Sequence, residues 1–409
     1  MTASRRPVLA LTAADTLSLT GTRLSMVAIP WLVLTVTGDP LLTGLAGFAE
    51  MLPYVIAKAL GGPLIDRLGA RRIAIVADLV SMATIALVPL LHLAGLLGLP
   101  TILPLVAMLG TLRGPADAAK YAMVPAVAAA GALPLERVTG IMGVIERLAS
   151  TIGAALAGAL VALLGPALAL SVTAGAFGLS ALIVAVGLPA LPQPAPAASS
   201  GYLADLREGW RFFRRDAVLV GVVIMVASTN LLDTAYSSVL LPVWSEAVGD
   251  AALLGLLFAI FSGASIAGSA LATVLAERLP RLPVYVIAFL LTGAPRYLAF
   301  AIDSPMPALV VVLIVGGFAS GFLNPILSAV MLERIPAALT GRVSALVNAL
   351  SWTLIPLGGL FGGALITLAG LPAAFAVSGT IYLAVTLLPL AMRSFRAFAE
   401  RPALPSPTP

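Results

Sequence analysis

Gly62-Pro63-Leu64-Ile65-Asp66-Arg67-Leu68-Gly69-Ala70-Arg71-Arg72 is a short polar stretch set between two long apolar runs. Asp66 stands where it would cap a helix beginning near Ile73, Gly69 permits a left-handed turn, and Arg67, Arg71 and Arg72 suit an anionic membrane surface. The pattern predicts a hinge loop, with Gly62 at its start, at one face of a bilayer. The chain around it is too apolar for water. Of 409 residues 60% are hydrophobic and 10% charged, and mean hydropathy is +1.08, whereas soluble domains carry about 25% charged residues.

A bilayer core about 30 Å thick requires roughly 20 residues per helix. The apolar runs accordingly read as twelve spans, at 8–36, 42–61, 73–93, 101–123, 138–164, 168–190, 217–244, 252–276, 282–302, 307–332, 341–369 and 373–392. The expected fold is an all-α polytopic membrane protein built as two pseudo-repeated six-helix bundles. These occupy 1–190 and 217–392, with a linker at 191–216 and a tail at 393–409.

Arginines orient the chain. Arg5, Arg6, Arg67, Arg71, Arg72, Arg137, Arg207, Arg211, Arg214, Arg215, Arg278, Arg281, Arg334, Arg342, Arg393, Arg396 and Arg401 fall in alternate connections; those around Asp39, 92–100, Gly165, 246–250, Asp303 and Gly370 contain no Lys or Arg. By the positive-inside rule both termini are cytoplasmic, in a bacterial-type plasma membrane. The net charge of +5 therefore points to the lipid surface and not to nucleic acid.

The linker opens with Pro192-Gln193-Pro194-Ala195-Pro196, a flexible composition. From Tyr202 to Arg215 it becomes amphipathic, with Leu203, Leu206, Trp210 and Phe213 on one face and Arg207, Arg211 and Arg214 beside it. That pattern predicts a helix in the cytoplasmic interface.

The two halves repeat. Asp39 and Asp250, Gly44 and Gly255, Asp66 and Glu277, and Arg67 and Arg278 are each 211 residues apart; Gly153 and Gly358, Gly158 and Gly363, and Gly165 and Gly370 are 205 apart. The offset changes only across loops, as expected of a duplicated six-helix unit whose substrate site forms at the midplane between the copies.

Much chemistry is excluded by residue type. The chain has no cysteine, and its two lysines, Lys58 and Lys120, lie in no phosphate-binding loop. His92 is its one histidine, near the outer end of the third span, and no cluster resembles a metal or catalytic centre. No cofactor, metal or enzymatic role is expected. Arg5-Arg6 before an apolar run looks like a signal peptide, but Asp15 and Arg23 within that run mark it as a retained span.

An ionisable group deep in a span costs about 2.5 to 3.5 kcal/mol, so each needs a reason. Asp15 and Arg23 fall in the first span, Glu50 in the second, Arg113 and Asp117 in the fourth, Glu146 and Arg147 in the fifth, Asp233 in the seventh and Arg296 in the ninth. Arg113 and Asp117, at i and i+4, face each other along one helix and suit an ion pair. Asp15, Arg23, Glu50, Arg113, Asp117, Glu146 and Asp233 form the candidate set for moving protons or substrate. Asp117 is the leading proton carrier, with Asp233 and Glu146 as alternates; burial favours its neutral form and Arg113 its ionised form.

The spacing Gly-x-x-x-Asp-Arg-x-Gly-x-Arg-Arg, filled at every defined position from Gly62 to Arg72, resembles the loop between the second and third helices of the major facilitator superfamily of secondary transporters. Leu109-Gly110-Thr111-Leu112-Arg113 resembles the fourth-helix motif of its proton-coupled members, although Gly114-Pro115 follows here. Gly153 to Gly158 stands where drug antiporters carry Gly-Pro-x-x-Gly-Gly, without the proline. The whole chain is similar to the bacterial efflux branch of the macrolide-efflux and enterobactin-exporter type. That resemblance implies export of a small amphipathic compound in exchange for protons, and the protein is expected to act as a monomer. An uptake symporter on the same fold is the second reading, and a non-transporting membrane protein the third.

Overall fold

The computed structural model describes residues 5–189, 202–275, 280–336 and 339–391. The proline-rich part of the linker, Glu277 and Arg278, and the tail at 393–409 lie outside the described residues, as does the side chain of Asp66. Every regular element among the described residues is helical.

The helices follow the expected order. First come α1 (Arg6–Thr37), α2 (Pro40–Leu60), the short α3 (Gly62–Leu68), α4 (Ala70–Leu93), α5 (Leu99–Ala122), its short continuation α6 (Val124–Ala130), α7 (Leu135–Leu164) and α8 (Pro166–Gly187). The linker helix is α9 (Tyr202–Phe213). Then follow α10 (Ala217–Ala235), a π-helical turn at Tyr236–Leu240, α11 (Leu241–Val248), α12 (Ala251–Leu275), α13 (Arg281–Thr292) and α14 (Ala294–Ala301). The chain ends with α15 (Met306–Ser320), α16 (Leu323–Arg334), α17 (Thr340–Trp352), α18 (Ile355–Ala369) and α19 (Leu371–Ala391). Ten stretches among the described residues are long and apolar enough to cross a membrane. The other two expected positions are filled by α7, which carries Glu136, Arg137, Glu146 and Arg147, and by α19, whose apolar run is Leu371–Leu387.

Residues that match in the repeat do matching jobs. The Asp39 carboxylate accepts from the backbone N–H of Leu41 (2.7 Å) and Leu42 (3.2 Å), and that of Asp250 accepts from Ala252 (2.8 Å) and Leu253 (3.4 Å), so each caps the helix that follows. Each follows a glycine in the left-handed region, Gly38 (φ 64°) or Gly249 (φ 78°), which ends the preceding helix.

Two compact units make up the chain. One comprises Met1–Ala198, Asp233–Ala259 and Ile355–Leu371, the other Ser199–Leu232, Ile260–Leu354 and Pro372–Pro409. Inside the first unit α18 packs on α2 with almost no side-chain layer, since a Cβ placed on Gly44 would lie 2.1 Å from the Gly359 carbonyl oxygen. Inside the second unit the aromatic face of α9 does not stand alone. Phe213 is buried with Leu219, Val223, Ile335, Val343 and Val347, while Trp210 stays exposed. Gly293 separates α13 from α14 where the Tyr382 ring occupies the space a side chain would need.

Candidate functional site

Helix α5 packs against both α2 and α4, and the closeness to α2 is set by glycine. A Cβ on Gly110 would fall 2.0 Å from the Glu50 carbonyl oxygen, and one on Gly114 would fall 2.6 Å from both the Tyr54 carbonyl oxygen and the Lys58 nitrogen. Small residues four apart let helix backbones touch. Here they bring α2 near enough for its side chains to join a buried cluster built from α1, α4, α5 and α8.

At its centre is Arg113, only 1% exposed. Its Nη1 lies 2.5 Å from Asp78 Oδ1 on α4, its Nη2 lies 3.0 Å from Asp117 Oδ1 one turn along α5, and its Nε donates to Thr22 Oγ1 at 3.0 Å. Nη2 also donates to Ser18 Oγ, and the guanidinium lies 4.3 Å from the centre of the Phe177 ring. The second cation is Lys120, whose Nζ lies 2.7 Å from Asp78 Oδ2 and donates to Ser18 Oγ at 2.6 Å. Ser180 Oγ lies 2.7 Å from Asp78 Oδ2. Asp78 thus has two cations and two hydroxyls around it at 0% exposure. Buried charges persist when paired and hydrogen-bonded in this way.

Charge balances across the four groups: Asp78 and Asp117 against Arg113 and Lys120. Asp117 differs from the other three in being 9% exposed, and Tyr54 Oη donates to its Oδ2 at 2.9 Å. Lys58 Nζ in turn donates to Tyr54 Oη at 3.1 Å.

The other expected site residues are placed as follows. Asp15 on α1 is buried and within electrostatic reach of Lys120, Asp117, Glu146 and Arg113. Glu50 is buried on α2, where Ser25 donates to its Oε1 at 3.1 Å. Arg23 is half-buried, with its stem against Gly153 of α7 and Nη1 directed at the Met26 sulfur, 3.6 Å away. Glu146 on α7 is exposed, and Asp233 is half-buried on α10, two residues before that helix ends at Ala235 and the π turn begins. The structure therefore pairs Arg113 with Asp117, sets Asp15 within electrostatic reach of them, places Arg23 on α1 and Glu50 on α2, and leaves Glu146 and Asp233 on other elements.

The hinge loop differs from expectation in one respect. Residues 62–68 are themselves helical, α4 starts at Ala70, and Gly69 (φ 88°, ψ 132°) is the residue at its N-cap, while the Asp66 side chain expected to cap it lies outside the described residues. The positive φ of Gly69 makes the turn there. Arg71 has a specific job. Its Nε and Nη2 donate to the carbonyls of Leu188 (2.9 Å) and Ala185 (2.6 Å), neutralising the C-terminal end of α8. Arg67 and Arg72 are exposed.

Asp78, Lys120, Tyr54, Lys58, Ser18 and Ser180 were not among the expected site residues. The cost of burying charge in a span would have drawn attention to Asp78, Lys120 and Lys58. Lys120 also falls on the helix face of Arg113 and Asp117, at i+7 and i+3.

The sequence profile of the Major Facilitator Superfamily matches residues 11–235 and again 223–409. The multidrug efflux pump Tap of Mycobacterium tuberculosis is 31% identical over 378 residues, covering 91% of this chain and 90% of that protein. The pump of the same name from Mycolicibacterium fortuitum is 30% identical over 380 residues, covering 91% and 92%. Among solved structures, the nucleoside transporter NupG superposes with a TM-score of 0.72 at 14% identity, covering 97% of this chain and 99% of that one. A D-xylose-proton symporter superposes with a TM-score of 0.70 at 16% identity, covering 94% and 97%. At those identities the structural likeness concerns the fold, but the profile and the two pumps extend over nearly the whole sequence, and the chain belongs to the Major Facilitator Superfamily.

Proposed function

We propose that this protein is a secondary transporter that exports a small amphipathic compound in exchange for protons, acting as a monomer in the bacterial plasma membrane with both termini cytoplasmic. Six-helix bundles at 1–190 and 217–392 would alternate access to a site between them, in keeping with the sequence repeat. Export is supported by the 31% identity to a multidrug efflux pump over 91% of the chain.

The observation that carries proton coupling is the buried set of Asp78, Arg113, Asp117 and Lys120. Asp117 is the carrier in this reading. It holds one cation where Asp78 holds two, and it is the most exposed of the four. Protonating Asp78 would deprive both Arg113 and Lys120 of their closest anion, whereas protonating Asp117 leaves each of them paired with Asp78. Energetically one proton suffices: crossing about 100 mV yields roughly 2.3 kcal/mol, while a hundredfold gradient of a neutral solute costs about 2.7 kcal/mol and one pH unit adds about 1.4.

Drug susceptibility of cells with and without the gene identifies the compound, and inverted membrane vesicles then give the direction. Export predicts that acidifying the vesicle lumen drives the compound inward; accumulation that instead requires an acidic exterior would establish uptake symport and overturn the proposal.

A further inference from the structure

We infer that Tyr54 and Lys58 form the path by which Asp117 exchanges its proton with the arginine-bearing face of the membrane, a reading that deepens the proposed coupling role of Asp117 and rests on it. The direction of each bond follows from the chemistry of its ends. An ammonium only donates and a carboxylate only accepts. Lys58 Nζ, 3.1 Å from Tyr54 Oη, must therefore give a proton to that oxygen, leaving the single hydroxyl proton of Tyr54 for Asp117 Oδ2 at 2.9 Å. The chain of bonds runs Lys58 to Tyr54 to Asp117 without a gap.

Burial falls from Tyr54 to Lys58, at the outer end of the path. Tyr54 is 4% exposed, while Lys58 is half-buried in the last turn of α2, just before α3 and the hinge loop. Besides Lys58, the charged groups acting on the Tyr54 hydroxyl are Asp117 and Arg113 on α5 and Arg23 on α1. Glu50 precedes Tyr54 by one turn on α2 and accepts from Ser25; Arg67 on α3 is exposed; the π turn packed on α2 offers Tyr236; α18 has no ionisable residue.

Release balances as two transfers. With Asp117 protonated and Lys58 a neutral amine, the Asp117 O–H gives its proton to Tyr54 Oη as the Tyr54 O–H gives its own to Lys58 Nζ. Asp117 becomes a carboxylate, Tyr54 is again a phenol, and Lys58 is an ammonium that yields its proton to water at the membrane face. The bonds in the structure are those of this product state. Uptake is the reverse.

The test needs no transported compound. The purified full-length protein is subjected to a pH jump, and the carbonyl stretch of a protonated carboxylic acid is followed by time-resolved infrared spectroscopy between roughly pH 4 and 9. Asp117→Asn identifies the Asp117 band. Tyr54→Phe, which keeps the ring, and Lys58→Met should keep the amplitude of that band and slow its appearance by about a hundredfold. Lys58→His should restore the rate with a dependence on pH near the histidine value of about 6.5, a change that a merely structural lysine would not produce. If the band is absent, or survives Asp117→Asn, the coupling role of Asp117 falls and the path with it. If Asp117→Asn removes the band but Tyr54→Phe and Lys58→Met both leave its rate unchanged, Asp117 keeps its role and the path alone is overturned.

Discussion

Replacing Asp78 by asparagine keeps the shape of the side chain and removes one of the two anions in the buried set. Two negative and two positive groups become one and two, a net charge of +1 in a region where Asp78 is 0% and Arg113 1% exposed. Arg113 retains Asp117 at 3.0 Å, so the loss falls mainly on Lys120, whose one carboxylate at 2.7 Å is gone. Two unit charges about 4 Å apart at an effective dielectric constant near 20 interact by about 4 kcal/mol. Removing one member of a buried pair typically costs about 3–5 kcal/mol. Both figures are a large share of a total stability of about 5–15 kcal/mol.

Asp78→Asn should accordingly lower the melting temperature in detergent, followed by intrinsic tryptophan fluorescence, by several degrees. The informative companion is Asp78→Asn combined with Lys120→Met, which returns the set to one anion and one cation. The double variant should recover most of the loss, because removing the second charge of a broken pair relieves the uncompensated one. An unchanged melting temperature for Asp78→Asn, or a double variant no more stable than the single, would refute the claim that charge balance holds α4 to α5 here.

Other outcomes follow from the same geometry. Asp117→Asn in proteoliposomes should abolish transport driven by an imposed pH step and spare exchange without a step, whereas Glu146→Gln and Asp233→Asn should retain pH-driven transport; full pH-driven activity in Asp117→Asn would assign the coupling elsewhere. Gly114→Val should cost about 1–3 kcal/mol by overpacking and push α2 off α5, seen as lower membrane expression and a lower melting temperature, because its Cβ would meet backbone atoms of Tyr54 and Lys58 at 2.6 Å. Arg71→Gln should destabilise by about 1 kcal/mol, discounted for its partial exposure, since the two carbonyls it holds at the end of α8 lose a charged donor; no change in unfolding would show those bonds to be idle.

The spans were legible because hydrocarbon imposes a length and a composition on every crossing helix. The run expected at 73–93 is α4 from Ala70 to Leu93, and that at 168–190 is α8 from Pro166 to Gly187. The interruptions were less legible. Pro295 marks the break after Gly293 locally, but the Tyr382 ring that fills the space beside Gly293 comes from far along the chain, and no local pattern carries that contact. The same division runs through the site. Arg113 and Asp117 sit one turn apart and read as a pair, but Asp78 meets Arg113 across 35 residues and Tyr54 meets Asp117 across 63. Only the crossing of α2 and α4 with α5 brings these groups together.

In the proposed cycle Asp78 and Asp117 divide one task between them. Both touch Arg113, and both lie where an isolated ion would be costly. Asp78, bonded to two cations at 2.5 and 2.7 Å, is the fixed counter-charge that allows Arg113 and Lys120 to remain charged in the span. With that balance secured, Asp117 can gain or lose a proton while each cation keeps a carboxylate. The hydroxyl of Tyr54 is then a partner in either state, donating to the carboxylate or accepting from the acid. A lone buried aspartate beside a lone arginine would offer no such freedom, since protonating it would leave the arginine without an anion. In that cycle the second acid is what would let the first one exchange a proton.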